Sequence, residues 1–333
     1  MEKDNFAFAS MRIRIFEKNL VNQLVFSRMV EAKDLSAALE ILKETRYVDK
    51  VNALKSKAEF ESMLSEELKN QANKVLELVN DETLRKLLFL KYDYHNLKLL
   101  IRSERDNKNL EYLFFGFGNL YIPEVRSWIK DSKQNPKNTV MECAFDEALK
   151  SYDEFHDTKK INFILDQAYY TELLEYSRVC MGNEFAKYVV NIIDFTNVLT
   201  MLRVRGHNIN AADLKEAFIA GGNLDKETLM LFTTLSEDAL FKKLVESGIS
   251  DELRTSYDEY LETDSLSRLE KSRDEYLYGG AIKISDVLYG AEVIYGYVLK
   301  IEEEVQNLRI ILSGKRAGVD SEGIRERMRI CIK

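Results

Sequence analysis

The sequence predicts an all-α protein built from three similar helical lobes in a pseudo-threefold arrangement, and three observations carry that prediction. Turn-making residues are scarce, with 2 Pro and 14 Gly in 333 residues, against ordinary usage of roughly 5% and 7%. A β-sandwich or propeller needs a Gly/Pro-rich turn every few residues. Charged residues at 31% beside 45% hydrophobics suit amphipathic helices with one solvated face. Finally, two motifs recur in the same order at a domain-sized spacing, which sets the number of lobes.

In chain order, Asp34-Leu35 reads as a helix start, an N-cap followed by an apolar contact. The first motif, acid-x-x-Asn-apolar-x-x-apolar-apolar, occurs at Asp93, Asn96, Leu97, Leu100 and Ile101. On a helix the acid and the Asn share a face, and the apolar positions form an adjoining stripe that must be buried. An Asn at the edge of that stripe is expected to hydrogen-bond a neighbouring helix and fix its register. Asn109-Leu110 reads as a second start. The second motif, Phe114 to Gly118-Asn119-Leu120, reads as a helix stop, because Gly-Asn suits a left-handed ending. Pro123 then fits the first turn of the next helix. The first motif returns at Asp194, Asn197, Val198, Met201 and Leu202, 101 positions on from Asn96 to Asn197. The second motif returns behind it: Asp213-Leu214, then Phe218 to Gly222-Asn223-Leu224, then an N-cap at Asp225. A third copy of the first motif lies at Glu304, Asn307, Leu308, Ile311 and Leu312, 110 positions beyond Asn197, and Asp320 is the comparable helix start. Small helical repeats have periods of roughly 33 to 47 residues, so this spacing describes lobes and not an open solenoid. Approximate bounds are 1–125, 126–235 and 236–333. Copies one and three are incomplete in different places, which leaves open that the N- and C-terminal helices complete one lobe together.

The net charge of −8 disfavours nucleic acid or anionic lipid bound through a general basic field. The C-terminal twenty residues are locally basic, with Lys315, Arg316, Arg325, Arg327, Arg329 and Lys333 against Asp320, Glu322 and Glu326; a solvated last helix is the plainer reading. No stretch reaches about 18 uncharged apolar residues; the most apolar window, Tyr188 to Leu202, is broken by Asp194 and runs into Arg203 and Arg205. Met1 to Asn5 is acidic and polar, unlike a signal peptide, and Cys143, Cys180 and Cys331 read as reduced cytosolic thiols.

Catalytic constellations are hard to assemble. His95, His156 and His207 are the only histidines, and neither a CxxC nor an HExxH occurs. Gly314-Lys315-Arg316 lacks the first Gly and the Ser/Thr of a phosphate cradle, and Gly116-Phe117-Gly118 is a lone Gly-x-Gly, better read as a helix stop. The run Glu302-Glu303-Glu304 is expected to be a solvated face. No catalytic residue, cofactor or metal is expected.

Three stretches carry a resemblance to a known family: Arg12 to Glu17, Asp93 to Lys98, and Glu304 to Lys315 continuing to Ile324–Arg327. The chain resembles the C subunit of the archaeal and bacterial V-type ATPase/ATP synthase, the counterpart of the d subunit of the eukaryotic vacuolar enzyme. The resemblance implies a funnel-like helical subunit with a central opening. It implies a non-catalytic rotor adaptor that receives the central shaft, made of the D and F subunits, and sits on the membrane proteolipid ring. It further implies a monomer within a peripheral complex on the cytoplasmic face, and places nucleotide chemistry in separate subunits. A three-lobed body could grip a narrow shaft on its axis and contact a broad ring at larger radius. Phe115, Phe117 and Tyr121, near the first stop, are candidate partner contacts, with core packing as the competing role; the Asn motifs read as internal architecture. Two rivals remain at this level: a free-standing cytosolic scaffold for another protein, and a helical hydrolase using clustered carboxylates.

Overall fold

A computed structural model describes residues 6–131, 135–204, 211–247, 260 and 266–329. The described residues are all-α, without a strand. The helices are α1 (Ala7–Glu17), α2 (Gln23–Glu31), α3 (Leu35–Leu42), α4 (Val48–Ala53), α5 (Phe60–Leu78), α6 (Glu82–Arg105), α7 (Ile122–Lys130) and α8 (Val140–Phe155). They continue with α9 (Thr158–Val204), α10 (Ala211–Ala217), α11 (Lys226–Phe232), α12 (Glu237–Glu246), α13 (Leu266–Ser285), α14 (Ala291–Ala317) and α15 (Ser321–Arg327). Within α9, Gly182 leaves the helical region (φ 78°, ψ −170°), so α9 is two helical segments meeting at that residue.

The helix starts have local causes. Asn22, Asp34, Asp81, Asp225 and Asp320 each accept the backbone N–H three residues on, the bond that satisfies an orphan donor of the first turn. Thr139 and Glu142 form a reciprocal capping box at the start of α8. Pro123 lies in the first turn of α7, where its missing N–H has no intrahelical partner to lose. Gly318 closes α14 in the left-handed region (φ 71°).

The chain forms two compact units, residues 1–80 with 281–333, and residues 81–280. Their divisions fall at 80/81 and 280/281. In the first unit α14 is the centre, with α1, α2, α3, α5 and α15 packed on it. Its inward residues Ile294, Tyr297, Ile301, Leu308, Ile311 and Leu312 are buried with Phe26, Met29, Leu42, Phe60 and Leu64. In the second unit α6 and α8 pack on α9. A core at its far end gathers Phe195, Val198, Met201 and Leu202 with Phe218, Leu224, Leu229, Leu240 and Leu269. The stripe positions after each motif Asn, at +1, +4 and +5, are at most 2% exposed in all three copies.

Several expectations are corrected. Gly118 and Gly222 are not helix stops: they lie in irregular loops, one after a single 3₁₀ turn (Glu111–Leu113), the other after α10. Gly116-Phe117-Gly118 belongs to the first of those loops. The left-handed residue of the second loop is Gly221 (φ 105°), one place earlier than expected. Asn109 accepts from Glu111 N–H and opens only the 3₁₀ turn, and Asp213 falls inside α10. The acidic run is not a solvated face, since Glu303 and Glu304 are 7% and 0% exposed. Arg205, His207, Cys331 and Lys333, and the segment Met1–Asn5, lie outside the described residues.

Candidate functional site: carboxylate clasps and the loop they hold

Asp93 and Asn96 sit one turn apart on the buried side of α6. Asp93 Oδ1 accepts the main-chain N–H of Asn119 at 2.9 Å and of Leu120 at 3.1 Å; Oδ2 accepts Asn119 Nδ2 at 2.8 Å. Asn96 pairs with one residue in both directions, donating to Phe115 O at 3.0 Å and accepting Phe115 N–H at 2.9 Å. The loop is therefore held at two points by one helix turn, and buried amides that have no helix or sheet to satisfy them find partners.

The second copy repeats the same set of donors, with the Asn223 main-chain N–H now on Oδ2 beside the side-chain amide and the Leu224 N–H alone on Oδ1. Asp194 accepts the Asn223 N–H at 3.0 Å, Asn223 Nδ2 at 2.8 Å and the Leu224 N–H at 3.2 Å. Asn197 donates to Ile219 O and accepts Ile219 N–H, each at 2.8 Å. The Asn side chains thus bond loop backbone, not a neighbouring helix as expected. The glycines follow from the same geometry. A Cβ on Gly118 would stand 2.4 Å from Asp93 Oδ1, and one on Gly222 would stand 2.2 Å from Asp194 Oδ1. The loop must come this close for its amides to reach the carboxylate.

The third copy uses the longer acid and a different segment. Glu304 accepts the N–H of Val21 at 2.5 Å, the Tyr47 hydroxyl at 2.8 Å and both terminal nitrogens of Arg46, at 2.5 and 3.2 Å. Val21 immediately precedes the N-cap Asn22 of α2, as Leu120 and Leu224 precede the N-caps of α7 and α11. Asn307 accepts the Arg329 N–H at 3.0 Å, and its amide donates to Glu303. Arg46 also reaches Glu67 at 2.9 Å, and Glu67 accepts Gln71 Nε2, whose Oε1 accepts the Tyr297 hydroxyl. Arg46, Tyr47 and Val21 went unrecognised in the sequence; the usable signal was Val21-Asn22 against Leu224-Asp225.

Burial raises the carboxyls. Asp93 is pushed up to about 6, opposed by the donors of Asn119 and Leu120 and reinforced by the charge of Glu172. Asp194 is raised by the same burial against the donors of Asn223 and Leu224. Glu304 is also raised by burial, with Arg46 the largest opposing influence.

The candidate contact residues separate into support and surface. Phe117 is buried and stands edge-on to Phe89 and Tyr92. Phe115 is half-buried against Tyr92 and His95. Tyr121 is 68% exposed, and the same segment also exposes Tyr112 at 78% and Leu113, which sequence reasoning missed. His95 reaches Leu113 O through Nε2 at 3.3 Å. Among the described residues no His/Cys/Asp/Glu group could hold a metal ion, and no helix is long and apolar enough to cross a membrane. An open groove lined by Val140, Phe155, Phe163 and Ile164 carries Glu147 and Glu154 but no histidine. Of the basic C-terminal residues, Arg325 pairs with Glu31 and Arg316 lies over the Phe60 ring.

Two tests address the clasps. Gly222→Ala places a methyl on the Asp194 carboxylate, so urea unfolding is expected to show a loss of about 1–3 kcal/mol. With Asp194→Ala in the same chain the losses are expected to be less than additive; full additivity rejects the contact as the cause. The second test is pH. An unfolded-chain aspartate titrates near 3.9, below the native value of about 6 for Asp93. Between these values the native state holds a proton that the unfolded chain has lost. The contribution of this group is therefore complete below about pH 4 and is lost as the pH rises through about 6. The stability difference between wild type and Asp93→Asn is expected to shrink by up to about 3 kcal/mol from pH 4 to pH 7, whereas a constant difference would mean that folding leaves the affinity of Asp93 for its proton unchanged.

Residues 9–327 match the family model described as ATP synthase (C/AC39) subunit. The C subunit of the V-type sodium ATPase of Enterococcus hirae is 24% identical over 95% of this chain and 96% of its own length. The C subunit of the A-type ATP synthase of Methanocaldococcus jannaschii is 24% identical over 96% of this chain and 85% of its own length. That of Haloferax volcanii is 26% identical, covering 96% of both chains. With the match running through all three clasp helices, the chain belongs to the ATP synthase (C/AC39) subunit family.

Proposed function

We propose that this chain is the non-catalytic central-rotor adaptor of a rotary V-type ATPase/ATP synthase. In this reading it joins the D/F shaft to the membrane proteolipid ring, so that torque couples ATP hydrolysis or synthesis to ion transport. It works as one copy in a peripheral position on the cytoplasmic face of the membrane. The observation that carries the reading is the family match over residues 9–327.

The clasps supply a physical reason. An adaptor under torque must hold irregular segments in fixed register, and each clasp ties one such segment to a buried helix turn with several hydrogen bonds. We include in the proposal the three lobes, with the N- and C-terminal helices sharing one. Support for the sharing comes from Glu304 bonding Val21, and from residues 1–80 and 281–333 forming one compact unit. The proposed contact loop uses Tyr121, together with Tyr112, as its exposed side chains, with Phe115 and Phe117, edge-on to one another, as its support.

Expressed with the other subunits and purified in detergent, the chain is expected to elute with the D/F shaft and the proteolipid ring in one complex. Its loss under conditions that keep the rest assembled defeats the adaptor reading. Tyr112→Ala combined with Tyr121→Ala removes two exposed rings without touching the core. Interface aromatics of this kind are worth about 1–2 kcal/mol each, so binding to the partner is expected to weaken roughly tenfold or more. Unchanged binding removes this loop from the contact surface.

A further inference from the structure

Helix α1 has its bulk on the side opposite to that of an ordinary core helix. Its buried residues are Ala9, Ser10 and Ile13, while Phe8, Met11 and Ile15 are 70%, 70% and 53% exposed. Spacing of i, i+3, i+7 puts these three on one face. The orientation is locked by polar contacts on the other side. Ser10 Oγ donates to Gly290 O and accepts its N–H, and Arg14 donates to Ser285 O at 3.2 Å and Val287 O at 2.8 Å. These anchors hold the segment 285–290 along α1 and leave Leu288, between them, 85% exposed. Three large apolar side chains therefore stand in water on one face of α1, with Leu288 exposed on the segment bonded to the same helix; isolated exposed residues are ordinary, but a stripe of them on one helix face marks an interaction surface.

Charge narrows what covers them. The exposed charges on α1, its C-cap and the 285–290 segment are Arg12 and Lys18 against Asp286, with Lys283 two residues before that segment. Glu17 is already engaged by Arg14 at 2.9 Å and Lys300 at 2.6 Å. The rim is therefore positive in a chain whose net charge is −8.

We propose that the Phe8–Met11–Ile15 face, with Leu288, docks one amphipathic helix of another protein subunit, its apolar seam flanked by Asp and Glu. The proposal deepens the reading of the chain as part of a rotary complex and rests on it. From Phe8 to Ile15 the stripe is about 10 Å long, two helix turns, the length over which two crossing helices interdigitate. The positive rim selects acidic flanks. A second copy would set the same positive rim against itself, and lipid is the occupant that the crosslink below separates from a protein helix.

The test uses the assembled complex purified in detergent. Phe8→p-benzoylphenylalanine is expected, on irradiation, to crosslink to a helical segment of another subunit that carries acidic residues beside its apolar ones. Met11→Glu with Ile15→Glu alters only exposed positions, so the helical circular dichroism and the thermal unfolding of the isolated chain are expected to match wild type, while retention in the complex falls tenfold or more. Arg12→Glu is expected to weaken retention and flatten its dependence on salt. Adducts confined to lipid or to a second copy of this chain overturn the proposal, as does a double variant retained like wild type. In those outcomes the wild-type chain still enters the complex and the adaptor reading stands; a wild-type chain that enters no complex defeats both.

Discussion

A buried carboxylate that accepts main-chain N–H groups is the interaction on which the described structure turns. Helices satisfy their own backbones, but the segments between them run partly buried with no ladder to complete. Asp93 and Asp194 meet that demand from the edge of an apolar stripe, and the paired Asn one turn later holds a second point of the same loop. Other features depend on it. Gly118 and Gly222 lack a Cβ because the carboxylate oxygen occupies its place. The residue that gives its N–H to the acid also sets the position of the next N-cap, so the loop hands the chain to α7 or α11 at a fixed point. The Phe115 and Phe117 rings then settle on Tyr92 of the helix that carries the first clasp.

How much of this was legible depends on the range of each cause. N-caps at Asp34, Asp225 and Asp320 are local and were readable from three consecutive residues. Burial of the stripe after each Asn was readable from helical period alone. What the acid bonds was not, because periodicity places a side chain on a face and says nothing about which segment crosses it. Glu304 looked like part of a solvated run because its compensation comes from elsewhere in the chain: Arg46, Tyr47 and the Val21 amide, whereas Glu303 takes a bond from Asn307 on its own helix. Helix α1 misleads in the opposite way. Its sequence has apolar residues on two faces, and hydrophobicity alone would bury Phe8 and Met11 in preference to Ala9 and Ser10. The choice is made by the Ser10–Gly290 and Arg14–Val287 bonds, which no window of sequence contains.

The third clasp differs from the first two in richness, and loop entropy gives the reason. Asp93 reaches a partner 26 residues away, whereas Glu304 reaches one 283 residues away. Taken alone, closure entropy rises as about (3/2)RT ln n, so the longer connection costs about 2 kcal/mol more. The first two clasps hold their loops with neutral Asn and backbone partners; the third adds a two-nitrogen Arg46 contact and a tyrosine hydroxyl to the same carboxylate. Hydrogen bonds to charged groups contribute about 1.5–3 kcal/mol each, which is the size needed to offset the difference. The longer reach of glutamate fits the same account, since the carboxylate must serve Arg46, Tyr47 and Val21 at once. A first unit assembled from both ends of the chain thus requires a stronger clasp than the second, whose partners lie within one continuous stretch of sequence.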